Sequence, residues 1–169
     1  FNGFVRRHWT HRAGEFRLTA LGYRATWRST DQIPQRAFAA GTIGRFGHVD
    51  PTDGGESERA SLSVDATLKG SDATTRLSAY AIHYRLNLYS NFTYFLDDPV
   101  NGDQFNQRDR RLIVGGAATR TWSESRPAGG SVTTVGWQVR GDFIDELGLH
   151  RTARRERIGT TRDDTVDEI

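Results

Sequence analysis

The chain has 169 residues without cysteine or methionine, and its 23 basic and 21 acidic residues leave a formal net charge of +2. This length corresponds to at most one ordinary domain, and the missing cysteines exclude disulfides and cysteine-ligated zinc or iron–sulfur sites. The near balance of charge gives no electrostatic basis for nucleic-acid binding, whose proteins carry clustered positive charge.

The hydrophobic pattern along the chain has a period close to two, which indicates β-strands and not helices. In chain order it predicts six strands, in residues 1–10, 17–28, 61–69, 76–88, 110–122 and 132–142. Residues 35–40 are the one stretch that suggests a helical turn. The tail, residues 151–169, is highly charged and predicts no clear element.

The connections alternate between two kinds. Residues 12–14, 70–72 and 123–130 predict short hairpin turns. Residues 29–59, 91–107 and 143 onward predict long connections, within which residues 50–55 and 98–103 have the Asp, Asn, Gly and Pro content of tight turns. Short turns at one end and long loops at the other are typical of antiparallel outer-membrane strands.

The apolar positions of these strands predict one apolar face and one polar face. We expect the apolar face to carry an aromatic girdle of the outer-membrane kind, formed by Trp27, Tyr80, Tyr84, Trp122 and Trp137. Charged residues on the polar face would suit a water-filled lumen better than a sandwich core. They are Arg24, Arg28, Asp65, Lys69, His83, Arg85, Arg140 and Asp142.

Four stretches of the sequence are distinctive in the residues themselves and not only in their hydrophobic pattern. They read YRATWRSTDQIPQRA at residues 23–37, RFGHVDPTDGG at 45–55, LNLYSNFTYFLDDPVNGDQF at 86–105 and TVGWQVR at 134–140. Together they closely resemble the β-barrel part of TonB-dependent outer-membrane receptors. The resemblance covers most of the chain.

The resemblance implies an active-transport receptor in the bacterial outer membrane, which imports a scarce solute such as an iron–siderophore. Its partners would be outer-membrane lipid, the plug domain of the same full-length protein, the inner-membrane TonB complex and a small-molecule ligand. The chain has no plug, no TonB box, no initiator methionine and no terminal aromatic residue. Residues 1–169 are therefore expected to be an interior part of the barrel domain, with about six strands of a larger up-and-down transmembrane barrel.

The candidate ligand-binding residues lie in the second long connection and on the expected lumen face. The acidic stretch carries hard oxygen ligands, namely Asp97, Asp98, Asn101, Asp103 and Gln104, although residues of this kind are what a self-capping turn requires. Phe92 and Tyr94, with the neighbouring Phe95 and Phe105, could form an aromatic ligand platform, and packing of the loop is the alternative. Arg85 and Arg140 could attract anionic solutes, and pairing with carboxylates of the lumen or plug is the alternative.

No catalytic motif stands out, so we predict neither an enzyme nor a cofactor, and the dispersed histidines predict no metal site. Two other interpretations stay open at this stage. One is a soluble carbohydrate- or calcium-binding β-domain that uses the 97–103 stretch. The other is a complete small outer-membrane barrel, against which the count of six strands argues.

Overall fold

A single antiparallel sheet makes up almost all of the computed structural model, which describes residues 1–29, 32–126 and 129–168. Each strand pairs with the next in chain order. The elements are β1 (Asn2–His11), β2 (Gly14–Arg28), α1 (Gln35–Ala39), β3 (Gly54–Lys69), β4 (Ala73–Ser90), β5 (Phe105–Arg126), β6 (Gly129–Ala153) and β7 (Glu156–Glu168). The predicted all-β, up-and-down architecture and the helical turn are confirmed.

The seventh strand corrects the prediction for the tail. Residues that were expected to form a long connection after residue 143 instead continue β6 to Ala153, and a two-residue turn leads into β7. β7 pairs with β6 through its backbone, but its side chains are largely exposed. Its sequence therefore shows no alternation of apolar and polar residues from which a strand could be predicted. The strands also run longer than predicted, up to the 25 residues of β6.

The sheet has a turn end and a loop end. The turn end carries the short connections β1–β2 and β3–β4, and the predicted turn at residues 123–130 has its centre outside the described residues. The loop end carries the connections β2–β3 and β4–β5 together with the β6–β7 turn. The strict alternation of short and long connections therefore fails at β6–β7, where a long one was expected.

One face of the sheet, which we call the belt face, is apolar over the half nearer the turn end. Cross-strand register aligns its residues in rows, such as Leu18, Val64, Ala79, Gly116 and Val139. The apolar belt consists of Phe16, Leu18, Ala20, Leu62, Val64, Ala66, Leu68, Leu77, Ala79, Ala81, Leu112, Val114, Ala118, Trp122, Val135, Trp137, Val139 and Phe143. Arg120 interrupts the belt near the turn end, with its guanidinium 5.2 Å from the Trp122 ring centroid.

The prediction that each strand keeps its apolar residues on one face along its whole length is wrong. On β2 and β4 the apolar alternation shifts by one residue about halfway along the strand. The belt face therefore receives Leu18 and Leu77 nearer the turn end, whereas Trp27 and Tyr84 lie on the opposite face nearer the loop end. The expected girdle is divided accordingly. Trp122 and Trp137 lie on the belt face, and Trp27, Tyr80 and Tyr84 lie on the opposite face.

The belt face turns from apolar to charged within one step toward the loop end. The row at the border of the belt holds the belt residues Leu112 and Phe143 beside Gly22, Ala60 and His83. The next row on that face holds Arg24, Glu58, Arg85, Arg110 and Glu146. We call this region the ion-pair band. Its bridges join Arg24 to Glu58 at 3.1 Å, Arg85 to Glu56 at 3.7 Å, Arg108 to Glu146 at 2.8 Å and Arg110 to Asp145 at 3.6 Å.

The sheet has very little core of its own. Among the described residues, Ile144 is the one large hydrophobic side chain that is buried. Large belt residues remain open, with Trp137 and Val135 each 61% exposed and Leu62 51% exposed. Burial of apolar surface is the main force that stabilises a fold, and the described residues bury little of the apolar surface of this sheet.

No helix among the described residues has the length and hydropathy to cross a membrane.

Candidate functional site

The β4–β5 loop is organised around two carboxylates that accept hydrogen bonds from its own backbone. Asp103 accepts from the backbone N–H groups of Leu96 at 2.8 Å and Asp98 at 2.7 Å. Asp98 in turn accepts from the N–H groups of Val100 and Asn101, at 3.1 and 2.9 Å. The turn predicted at residues 98–103 is confirmed, and the turn interpretation of these acidic residues has direct structural support.

The same contacts lower the pKa of both carboxyl groups. The pKa of Asp98 falls to about 2 because the backbone and side chain of Asn101 donate to it, with help from Val100 and the nearby Arg151 guanidinium. Burial acts to raise the pKa of Asp103, but the N–H donors of Asp97, Asp98 and Leu96 outweigh it and the net shift is downward. Both groups are therefore ionised at neutral pH, with much of their accepting capacity already used.

The structure brings together the candidate residues of the β4–β5 loop, whereas it separates Arg85 from Arg140. Phe92 is 59% exposed and packs against Phe105, with ring centroids 5.5 Å apart. Tyr94 donates its hydroxyl hydrogen to the carbonyl oxygen of Gln32 at 2.8 Å.

The two candidate arginines, expected on one lumen face, lie on opposite faces of the sheet because of the shift in alternation. Arg85 is on the belt face and pairs with Glu56. Arg140 is on the other face, where its Nε donates to Asp142 at 2.6 Å. Both are ion-paired, as the alternative interpretation proposed, although the carboxylates belong to the chain itself.

Gln104 connects three separate parts of the loop end. Its side chain is buried, and its amide nitrogen donates to Thr52 Oγ1 at 2.7 Å and to Asp53 Oδ1 at 3.0 Å. Its amide oxygen accepts from Thr152 Oγ1 at 3.0 Å and from the backbone N–H of Arg155 at 2.9 Å. One side chain thus ties the β2–β3 loop, the β4–β5 loop and the β6–β7 hairpin to one another.

Asp50 fixes the neighbouring part of the β2–β3 loop. Its carboxylate accepts from the backbone N–H of Thr52 at 2.8 Å and from the Thr52 hydroxyl at 2.6 Å. The tight turn predicted at residues 50–55 is therefore confirmed over residues 50–53, whereas residues 54 and 55 begin β3. The amide of Asn91 also donates to the Asp50 carboxylate, at 3.3 Å. Burial acts to raise the pKa of Asp50, but these donors and the Arg155 charge give a net lowering.

The β6–β7 turn has unusual backbone geometry. Its two central residues, Arg154 and Arg155, have φ of 50° and 71°, a left-handed conformation that two-residue hairpin turns normally assign to Asn and Gly. The side chain of Arg155 is held in place, since Nε donates to the Thr52 carbonyl oxygen at 2.6 Å and the guanidinium lies 5.0 Å from the Tyr89 ring centroid. Arg154 makes no hydrogen bond or ion pair with the residues that the structure describes.

A cleft of about 580 Å³ opens where the two long loops meet this turn. The β2–β3 loop contributes Val49, Asp50, Pro51 and Thr52; the β4–β5 loop contributes Asn91, Tyr94, Phe95, Val100, Asn101, Gly102 and Gln104; the hairpin contributes Ala153 and Arg154. We call this the loop cleft. Its volume is within the range of small-molecule pockets.

A buried histidine lies beside this region on β6. His150 is 2% exposed, and neither ring nitrogen has a hydrogen-bond partner among the described residues. Burial, followed by the nearby Arg157 charge, lowers its pKa, so the ring is neutral at pH 7. The ring fills the space over Gly148, where an added Cβ would lie 2.7 Å from His150 Nε2.

The sequence indicated only part of this site. The acidic stretch and Tyr94 were among the candidates, whereas Asp50, Thr152 and the two arginines of the turn were not. The arginine pair carries no turn signature, because its left-handed geometry is imposed by contacts with distant loops. No His, Asp or Glu cluster among the described residues is arranged to hold a metal ion.

Comparisons with known proteins add no assignment. No protein-family model matches the chain, and neither the curated proteins nor the solved structures provide a match.

Proposed function

We propose that the chain forms part of the membrane-spanning β-barrel of a bacterial outer-membrane receptor of the TonB-dependent kind. The observation that carries the proposal is the apolar belt with its sharp border. A belt of exposed and half-buried Leu, Val, Ala and Trp residues on one face suits contact with lipid, and the ion-pair band suits the aqueous side beyond it.

The dimensions of the belt support lipid contact. On β5 the belt extends from Leu112 to Trp122, which corresponds to about 33 Å along an extended strand. At the strand tilt of about 40° that is usual in such barrels, the belt would be about 25 Å tall, the height of their apolar band. On the opposite face at the same level lie Arg17, Asp65, Arg76 and Gln138, which suit a wet lumen.

The proposed activity is energised uptake of a scarce solute of the iron–siderophore type, with no covalent chemistry. The loop end, with its cleft between two long loops, would face the outside and meet the ligand. The short turns would face the periplasm, where the plug domain and the inner-membrane TonB complex act as partners. The described sheet is open, since β1 and β7 each pair on one side only, which favours part of a larger barrel over a complete small one.

The membrane proposal is tested with two adjacent substitutions in the full-length protein. Ala79 is in the middle of the belt and Ser78 is next to it on the opposite face. Ala79→Arg should cost about 2–4 kcal/mol of folding free energy in a bilayer and reduce the amount of folded, heat-modifiable protein in the outer membrane. Ser78→Arg, which adds the same charge to the lumen side, should fold like the parent.

Equal behaviour of the two variants would contradict the proposal. So would a folded, monodisperse parent protein in buffer without detergent, because the belt would then need no lipid.

Transport is tested by growth. A strain that lacks the full-length protein should lose growth on its ferric siderophore as sole iron source, and the intact gene should restore it. Collapse of the inner-membrane proton gradient should stop uptake of radioactive iron while surface binding persists. Uptake that continues without the gradient would reject a TonB-driven receptor.

A further inference from the structure

Backbone strain in the described chain is concentrated at the loop cleft. Three non-glycine residues have positive φ, namely Tyr94, Arg154 and Arg155. Tyr94 and Arg154 line the cleft, and Arg155 is the next residue of the same turn. Such residues persist only where the surroundings hold them, and they are frequent at ligand sites.

The strained turn presents a free cation to this cleft. The guanidinium of Arg155 contacts Thr52 and Tyr89, and Arg155 does not line the loop cleft. Arg154 is exposed, lines the cleft and has no carboxylate partner among the described residues. A planar guanidinium in this position can bind a carboxylate or phosphate through two parallel hydrogen bonds.

The rest of the lining suits a ligand with an apolar, flat body. Phe95 and Val100 are 60% and 85% exposed at the cleft, and the Tyr94 ring is anchored by its hydroxyl to Gln32. Asp50 is the one carboxylate among the described lining residues, and it accepts hydrogen bonds from Thr52, Asn91 and Gln104, which leaves its oxygens little free to pair with Arg154.

We propose that the loop cleft is a binding site for a small organic anion, in which Arg154 binds a carboxylate or phosphate group and the Tyr94 and Phe95 rings cover an aromatic or other apolar body. The inference rests on the proposed function, because it names the ligand class that the outward-facing loops of the receptor would take. Arg154 is the specificity-determining residue, and the strained turn places it in the lining of the cleft.

The test compares benzoate with its neutral analogue benzamide on the full-length protein, by saturation-transfer NMR and titration calorimetry. Benzoate should bind. Benzamide should bind about tenfold more weakly, because it loses the contribution of one charge-assisted contact to the affinity. Arg154→Asn removes the cation but suits the left-handed turn, so the variant should fold at least as well as the parent. It should bind benzoate about tenfold more weakly and should no longer distinguish benzoate from benzamide.

Arg157→Gln is the matched control. Arg157 belongs to the same hairpin, but it pairs with Asp163 and does not line the cleft. The substitution should leave benzoate affinity unchanged. Equal affinities for benzoate and benzamide, no loss in Arg154→Asn, or an equal loss in Arg157→Gln would each overturn the proposal. If benzoate binds as expected while Ala79→Arg and Ser78→Arg behave alike, the site stands and the membrane function fails.

Discussion

At the residue scale, the charged groups of the loop end are mostly bound to their own chain. Asp98 accepts from Asn101 and Val100, and Arg151 Nη2 donates to it at 2.9 Å. These contacts explain why an acidic stretch that resembled a ligand site forms a turn. The residue types were visible in the sequence, but the direction of each carboxylate depends on which N–H groups the folded loop presents.

The low pKa of Asp98 predicts how the loop responds to acid. Its folded pKa of about 2 is below the unfolded value of about 4. The stabilisation is therefore fully present above the unfolded value and is lost as the pH falls from about 4 toward 2. Carboxyl NMR titration should give a midpoint near 2, and Arg151→Gln should raise it.

Arg157→Gln, which removes an arginine paired with Asp163, should leave that midpoint in place. A midpoint near 4 in the parent protein would show that the hydrogen bonds to Asp98 do not form in solution.

At the element scale, the loop end depends on contacts between segments that are far apart in sequence. Gln104 joins Thr52 to Thr152 and Arg155. In the sequence, Gln104 could only be grouped with the neighbouring oxygen ligands, because nothing local shows that a hairpin 48 residues away will reach it. For the same reason the pair Arg154 and Arg155 could not be predicted as a tight turn.

Gln104→Leu should loosen all three segments together. The substitution deprives the Thr152 hydroxyl and the Arg155 N–H of their acceptor and places an apolar group among buried polar ones, at a cost of about 2–4 kcal/mol. We expect a lower midpoint of thermal unfolding and faster proteolysis in both long loops. Gln138→Leu, at an exposed position of β6, should change neither.

Cleavage that becomes faster in one loop only would show that Gln104 does not couple the two loops.

At the scale of the whole molecule, period-two alternation predicted the sheet and its chain-order pairing, but not which face each residue takes. The sequence of β4 reads as one alternating strand with Tyr80 and Leu88 in phase. Leu77 and Ala79 are at odd positions and Leu86 is at an even one, so they lie on opposite faces of β4. The register with β3 and β5 then shows that Leu77 and Ala79 supply the belt face. Alternation within one strand cannot show where neighbouring strands change from apolar to charged.

A single-cysteine scan of β5 would map these faces in the full-length protein, since this chain contributes no native cysteine. Spin labels at Leu112, Val114 and Ala118 should be more accessible to oxygen than to a water-soluble nickel chelate. A label at Arg110, in the ion-pair band, and one at Ala117, on the opposite face, should show the reverse preference. Accessibility without a two-residue period along β5 would contradict the assigned faces.

In the bilayer that we propose for this sheet, the charged row next to the belt would also fix the depth of the sheet. Successive rows of one face are two residues apart, about 6.7 Å along a strand, or about 5 Å of depth at a tilt of about 40°. Sinking the sheet by one such step would carry Arg24, Glu58, Arg85, Arg110 and Glu146 together into the hydrocarbon. The five strands would therefore keep a common height in the bilayer, and the loop cleft would stay at a fixed distance above the lipid surface.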